Sequence, residues 1–393
     1  MNKESKPWVL PDGVEQLLPK QAEQLECYRR QVLDLCASWG YQLVEPPMID
    51  FSEALVTNPG STLDDQTIKT VDQLSGKSLA VRADITPQIA RIDACHPQAN
   101  QINRWCYAGT VVHARPRSQL ASRLPVQMGA ELFGSHTIES DQEVLHLMLT
   151  SICLAGVAKP TLDIGHIGLL RKLIEYAQLS NPAAKSLHDA INCKAQQTVE
   201  TLVSKHVRDA TLAAFFTQIT RLYGSAPKVL TQARALSESL PADIAHILDE
   251  VEAITHYCQT HFPDIPIGLD FSDLQGYDYH TGLVFAVYLS GVGHAVANGG
   301  RYDTMGESFG RSRPATGFNL DAKALLHRQL FAESKGSNTV YAPSIPTHHD
   351  HTLTEAIATL RDSGSRVIRL LPDEQAPDQA AQLKQVNGAW VAE

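Results

Sequence analysis

No stretch of the 393-residue sequence approaches the roughly 18 consecutive apolar residues that suggest a membrane span. The opening MNKESKPWVLPDGVEQLLP also lacks the apolar core of a signal peptide, so a cytosolic protein is expected. Cysteine is sparse and scattered: Cys27, Cys36, Cys95, Cys106, Cys153, Cys193 and Cys258, with no Cys-x-x-Cys pair. An odd, dispersed set argues against a disulfide framework and against a zinc site, and for thiols in a reducing compartment. Positive charge is short as well. Lys and Arg total 33 against 43 Asp and Glu, a net charge of −10, which weighs against gripping nucleic-acid phosphates without excluding a local basic patch. Internal repeats and low-complexity runs are missing. What is left is ordinary for a globular protein of two or three domains, 43% hydrophobic and 19% charged.

Residues 20–39 predict a helix, with Leu25, Tyr28, Val32, Leu35, Cys36 and Trp39 at helical spacing and Gly40 as the stop. The following Tyr41-Gln-Leu-Val-Glu-Pro-Pro-Met-Ile reads as extended, its prolines suiting an edge or interface strand. Strands are predicted at 78–82, 105–112 and 126–133, and a helix from Thr86 with threonine as cap and Pro87 in its first turn. From 166 to 265 the pattern is almost continuously helical, broken at Pro182, Gly224, Pro227 and Pro241. Strand signals return at 267–271 and 283–289, and after Ser290-Gly291 a further strand runs into Asn298–Asp303. The tail predicts strand, helix, strand: Thr339–Ala342, Leu353–Leu360 and Arg366–Leu371. The expected organisation is an α+β fold with a mainly antiparallel sheet flanked by helices, its core formed by 1–165 and 266–335. A helical insertion occupies 166–265, and 336–393 is a short α/β segment, marginal as an independent domain.

Three polar clusters stand out. Val81-Arg82-Ala83-Asp84-Ile85-Thr86-Pro87 carries a charged pair off a strand toward a helix. Tyr107–Arg117, with His113 and Arg115, leads through Arg123 to Gln127-Met-Gly-Ala-Glu131, where Gln127, Gly129 and Glu131 share one strand face. An amide and a carboxylate with glycine leaving room between them could bind a polar ligand. The third cluster is Gly276-Tyr277-Asp278-Tyr279-His280-Thr281-Gly282, with Gly299-Gly300-Arg301-Tyr302-Asp303 one hairpin later. Blander readings exist for each. Arg82 and Asp84 could be a solvated ion pair, Gln127 and Glu131 an exposed strand face, and Arg115, Arg117 and Arg123 a solvated basic loop. Gly299 and Gly300 suit a hairpin turn, and His348-His349-Asp350-His351 a solvated lead-in to a helix rather than a metal site.

In this order the clusters resemble class II aminoacyl-tRNA synthetases, histidyl-tRNA synthetase in particular, over residues 8–330. Gly40–Pro47 stands where the dimer-forming motif 1 would be, Arg82-Ala-Asp84-Ile-Thr86 where the family has Arg-Pro-Glu-Gly-Thr, and 105–134 resembles motif 2 with its next strand. The Tyr277–Thr281 and Gly299–Asp303 segments resemble the two histidine-specific motifs, and Arg313–Asp321 resembles motif 3. The resemblance implies that Asp84, Thr86, Gln127, Glu131, Tyr279 and His280 form a histidine site, with Asp84 for the amine and His280 in place of a second tyrosine. Arg115, Arg117 and Arg123 would be remnants of the phosphate side.

Departures from the family pattern redirect the expected function. Arginines that adenylate formation would use are replaced by His113, Gln275 and Ala324. Losing one such donor costs about 3–4 kcal/mol of transition-state stabilisation, a hundredfold or more in rate. The tail is about half the size of the family's anticodon-binding domain, so no tRNA function is expected. A histidine site without an ATP site resembles the synthetase's paralogue, the regulatory subunit of short-form ATP phosphoribosyltransferase. That family's properties imply a non-catalytic protein without cofactor or metal. They also imply a self-dimer, a hetero-octamer with the short-form catalytic subunit, activation of that subunit, and feedback inhibition by histidine in the first step of histidine biosynthesis. A divergent synthetase and a synthetase-like interaction module are the rival readings.

Overall fold

The computed structural model describes residues 9–56, 61–97, 101–118, 121–273, 279–326, 339–344 and 351–393. Its first helix spans Pro19–Ser38, where Pro19 sits in the first turn and Tyr28, Val32 and Cys36 repeat every fourth residue on the buried face. It ends against Gly40, whose φ of +82° only glycine adopts cheaply.

Strands of the larger unit are β1 (Gln42–Leu43), β2 (Ile49–Phe51), β3 (Ile68–Val71), β4 (Ser78–Val81), β5 (Asn103–Thr110), β6 (Val126–Phe133), β7 (Thr161–His166), β8 (Tyr223–Ser225), β9 (Ile267–Asp270), β10 (Leu283–Tyr288), β11 (Ala297–Arg301) and β12 (Ala315–Asp321). Three of them form a small sheet, β2-β4-β3, and nine form the main one in the order β1-β5-β6-β12-β11-β10-β7-β9-β8. Neighbours in the main sheet run antiparallel except β1 with β5 and β7 with β9. The α+β, mainly antiparallel expectation therefore describes the molecule. The Tyr41–Ile49 segment is divided: β1 is a two-residue edge strand of the main sheet, and β2 turns into the small one.

All eight residues of β6 are buried, because the strand lies between β5 and β12 with protein on both faces. Met128, Ala130 and Leu132 face the large core, shared with Tyr28, Val32 and Cys36 of the first helix and with the Ile138–Leu154 helix. The alternate face points to a smaller cluster of Ile85, Ile89, Trp105, Tyr107, Phe133 and Tyr302. Side-chain alternation thus puts a polar set, Gln127 and Glu131, under an aromatic roof.

Between β7 and β9 the chain forms six helices, Ile167–Tyr176, Asn181–Asn192, Gln196–His206, Ala210–Ile219, Ala226–Ser237 and Ala242–His261, interrupted by β8. The Ala210 helix is capped by Asp209, whose Oδ1 accepts from the amides of Thr211 and Leu212 at 2.9 Å each. No helix among the described residues is long and apolar enough to cross a membrane.

Residues Ala332–Glu393 form a second compact unit. Among its described residues the strands are β13 (Thr339–Ala342), β14 (Arg366–Arg369), β15 (Ala381–Val386) and β16 (Ala389–Ala392), in the order β14-β13-β15-β16, with the helix His351–Asp362. Strand–helix–strand was expected here, and the β15–β16 hairpin extends it. The unit has its own core of Val340, Ala342, Leu353, Ile357, Val367 and Leu383.

Candidate functional site

Glu131 stands opposite Trp105 on β5 and Gly317 on β12. It is 1% exposed. Its Oε1 accepts hydrogen bonds from Thr86 Oγ1 at 3.0 Å and Tyr107 Oη at 3.1 Å, and its Oε2 accepts one from Tyr302 Oη. Burial pushes the carboxyl up to about 8, against the pull of the Tyr302 and Thr86 hydroxyls and with a further push from Asp84. Gly317 makes the arrangement possible, because a Cβ there would lie 1.5 Å from Oε2.

Gln127 and Asp84 form the other half. Gln127 Oε1 accepts from the Ile85 amide at 2.9 Å while Nε2 donates to Asp84 Oδ1 at 2.9 Å. The same Oδ1 accepts the Thr86 amide at 3.0 Å. Thr86 therefore touches both carboxylates, Asp84 through its amide and Glu131 through its hydroxyl. It is the first helical residue rather than the cap, which is Ile85, because its hydroxyl is engaged by Glu131. Asp84 is partly exposed and Glu131 is not, so the pair grades from an open to a sealed end.

Two expectations, for Gly129 and for Gly299–Gly300, need correction, and two of the blander readings are ruled out. The space that Gly129 leaves is filled: a Cβ there would lie 2.5 Å from Tyr107 Oη, so the glycine admits the tyrosine that reaches Glu131. The Gln127–Glu131 face is buried, not an exposed strand face. Arg82 forms no solvated pair with Asp84; it is 5% exposed and donates to the carbonyls of Thr110 at 3.0 Å and Pro46 at 2.7 Å. Gly299 and Gly300 lie inside β11 rather than in a turn, since a Cβ at Gly299 would meet the Gly317 carbonyl at 2.2 Å.

Tyr279 packs against the aromatic cluster, half-buried. Its hydroxyl is raised above the usual phenol range by burial, then by Asp84, while Arg117 opposes. The His280 ring is buried 4.2 Å from that of Tyr279, and its carbonyl accepts from Arg171 of the Ile167 helix at 3.2 Å. Gln275 and the first part of the glycine-flanked motif, like His348, His349 and Asp350, lie outside the described residues. Among the described residues no group of His, Cys, Asp and Glu is arranged to hold a metal ion.

The phosphate side differs in character. Arg115 and Arg117 are exposed. Arg123 is no free basic loop residue: its Nε donates to the His113 carbonyl at 3.0 Å, Nη1 to that of Asp12 at 3.4 Å, and its amide to that of Gly13 at 2.8 Å. His113, Arg117, Gln127, His294, Asn319 and Asp321 line a cavity of about 20 Å³, on the order of one or two water molecules. His113 is 1% exposed and its Nε2 meets the Ala83 carbonyl at 3.2 Å. Burial, with Arg117 beside it, pushes the ring down to about 4, so it is neutral with its proton on Nε2.

Sequence reasoning did not assign Tyr107, Tyr302 or Arg301 a role. All three lie in motifs it quoted, but their roles depend on pairings across strands. Arg301 is 9% exposed and donates from Nε and Nη2 to Asp141 Oδ2 at 3.1 and 2.9 Å, and also to the Ser135 carbonyl at 2.9 Å and Ser140 Oγ at 2.9 Å. It fastens the β11 end that carries Tyr302 to the start of the Ile138–Leu154 helix.

Comparison with known proteins places this geometry in a lineage. The histidyl-tRNA synthetase family profile matches residues 13–325, and the profile of the ATP phosphoribosyltransferase subunit HisZ C-terminal domain matches 337–393. A Bacillus halodurans structure described as an ATP phosphoribosyltransferase regulatory subunit/histidyl-tRNA synthetase superposes with a TM-score of 0.80 at 23% identity, covering 95% of this chain and 96% of that one. A chain of the Thermotoga maritima ATP phosphoribosyl transferase (HisG:HisZ) complex superposes with a TM-score of 0.58 at 16% identity, covering 76% of this chain and 97% of that one. At those identities the likeness shows the fold. Sequence relatives go further. The ATP phosphoribosyltransferase regulatory subunit of Teredinibacter turnerae is 43% identical over 94% of this chain and 93% of its own length. That of a Pseudomonas fluorescens strain is 42% identical over 98% and 97%. A synthetase-like core joined to a HisZ-type tail, alike at this level from end to end, makes the chain a member of the ATP phosphoribosyltransferase regulatory subunit family.

Proposed function

We propose that this protein pairs with a short-form ATP phosphoribosyltransferase catalytic subunit, activates it, and delivers feedback inhibition by histidine from the old amino-acid pocket. The names of its relatives and the Thermotoga complex support the pairing. One observation carries the choice of pocket: the two halves of the former synthetase site have diverged. On the phosphate side, His113 is neutral and Arg123 is bound to backbone carbonyls. On the amino-acid side two carboxylates and an amide remain, joined by Thr86. In this reading Asp84 takes the effector's amine at the open end, Gln127 and Thr86 hold Asp84 in place, Glu131 lies at the closed end, and Tyr279 and His280 form a wall. The protein works in the cytoplasm as a synthetase-like dimer within a hetero-octamer, without cofactor and without tRNA.

The test is phosphoribosyl-ATP formation by the complex with histidine titrated. A charged hydrogen bond to an amine contributes on the order of 1.5–3 kcal/mol, so Asp84→Asn is expected to raise the inhibitory histidine concentration roughly tenfold or more. Assembly and activation should persist. Inhibition unchanged in both Asp84→Asn and Glu131→Gln would place the sensor elsewhere, and a wild-type protein that leaves the catalytic subunit's rate untouched would refute the regulatory reading.

A further inference from the structure

Asp84 sits in the short junction between β4 and the Thr86–Cys95 helix, outside both elements. Backbone groups there have no ladder of their own, so their place is set by the groups that reach them. On the C-terminal side, Gln127 Oε1 accepts the Ile85 amide, while Gln127 Nε2 and the Thr86 amide both donate to Asp84 Oδ1. Among the described residues nothing donates to Asp84 Oδ2, the oxygen left for a ligand. The N-terminal side is held from elsewhere. Val112 donates its amide to the Arg82 carbonyl at 2.9 Å, and the His113 ring reaches the Ala83 carbonyl through Nε2 at 3.2 Å. Ala83 is 3% exposed, and among the described residues its carbonyl has no other donor. A carbonyl only accepts, so the ring proton sits on Nε2, and Nδ1 is buried without a hydrogen-bond partner. His113 is fixed at its root as well: its amide donates to the Arg123 carbonyl at 2.8 Å and its carbonyl accepts from Arg123 Nε at 3.0 Å. An imidazole anchored at its root and bonded at its tip is a strut.

Resting on the reading that histidine occupies the amino-acid pocket, we propose that His113 is a positioning residue for the effector: it fixes the Ala83 carbonyl and so holds Asp84 where Oδ2 meets the effector's amine. The residue that stands in place of a phosphate-side arginine then serves the other half of the site. It touches no ligand itself. Its role depends on one donor at one place, not on ring volume or on charge. Without that donor a buried carbonyl is left unpaired, and the junction shifts toward whatever donor it can find.

The test is calorimetric titration of the full-length protein with L-histidine, in wild type and in three variants. His113→Gln keeps an amide nitrogen close to where Nε2 stands and should bind within about threefold of wild type. His113→Asn, whose amide reaches only as far as Nδ1, and His113→Phe, which keeps a ring and loses the donor, should each bind roughly tenfold weaker. Combined with Asp84→Asn, the loss from His113→Phe should shrink to about twofold, because the group being positioned is gone. Wild-type affinity in His113→Asn and His113→Phe overturns the proposal. So does a loss in His113→Gln equal to that in His113→Phe, or a His113→Phe loss as large with Asp84→Asn as without it. Should His113→Phe not fold, the contrast between His113→Gln and His113→Asn, with and without Asp84→Asn, decides in its place. A wild-type protein that binds no histidine removes the pocket reading, and the role of His113 with it.

Discussion

Arg301 and Asp141 are both almost fully buried, and each is the other's charge partner at 2.9 Å. Removing one leaves an uncompensated ion in the interior, which typically costs about 3–5 kcal/mol. Arg301→Leu should therefore lower the urea midpoint strongly, whereas an exposed pair such as Arg30–Glu26 should show almost nothing on the same measurement. Glu131 gives a second expectation, in pH. A carboxyl whose folded-state value lies above its unfolded value, about 4.3, binds more protons folded than unfolded. Its stabilising contribution is complete below that value and declines as pH rises to about 8. Melting curves of wild type and Glu131→Gln should differ most at about pH 4.3 and converge, or cross in favour of the variant, as pH rises to about 8; a difference constant across that range would rule out proton binding by Glu131. The identity of these residues was legible from motif and order, but their partners were not. Thr86 reads as a cap in isolation, yet its hydroxyl finds a carboxylate 45 positions away. Gly129 reads as space for a ligand because nothing local says that Tyr107, on another strand, leans across it.

Within the Gln42–Phe51 segment, Leu43, Met48 and Ile49 are 57%, 45% and 53% exposed, three apolar side chains left uncovered on two edge strands and their connection. Arg82 holds the Pro46 carbonyl and Gln88 the Pro47 carbonyl, so the segment is presented rather than loose. The isolated protein should sediment as a dimer at micromolar concentration, and Ile49→Asp with Leu43→Asp should shift it toward monomer. A wild-type monomer would disprove this placement of the interface. Helices with a clear apolar stripe, such as Pro19–Ser38, could be read to within a residue or two. The tail's last hairpin was missed although its turn is Asn387-Gly388, both with positive φ, the favoured hairpin dipeptide. Lys384, Gln385 and a mostly exposed β16 dilute the alternation that normally reveals a strand.

For the molecule as a whole, the expectation is silence in the synthetase assay. Histidine-dependent ATP–pyrophosphate exchange and tRNA charging should stay at background, since Ala324 and His113 offer no guanidinium. Turnover above about 1 per second would contradict the account. The mainly antiparallel architecture was legible because strands, then helices, then strands again leave few other packings. The strand order was not, since β6 pairs with β12 across nearly two hundred residues of intervening chain. That order also fixes what stands at the rims. The nine-stranded sheet ends on β1, two residues long, and on β8, three residues long with Gly224 at its centre. Neither rim offers enough free amides and carbonyls in a row to template a foreign strand. Contacts made at these two rims must therefore be written in side chains, by shape and charge, rather than in a shared backbone ladder. The same truncation that denies the main sheet's rims to a second copy leaves recognition there to residues that can vary without disturbing the sheet.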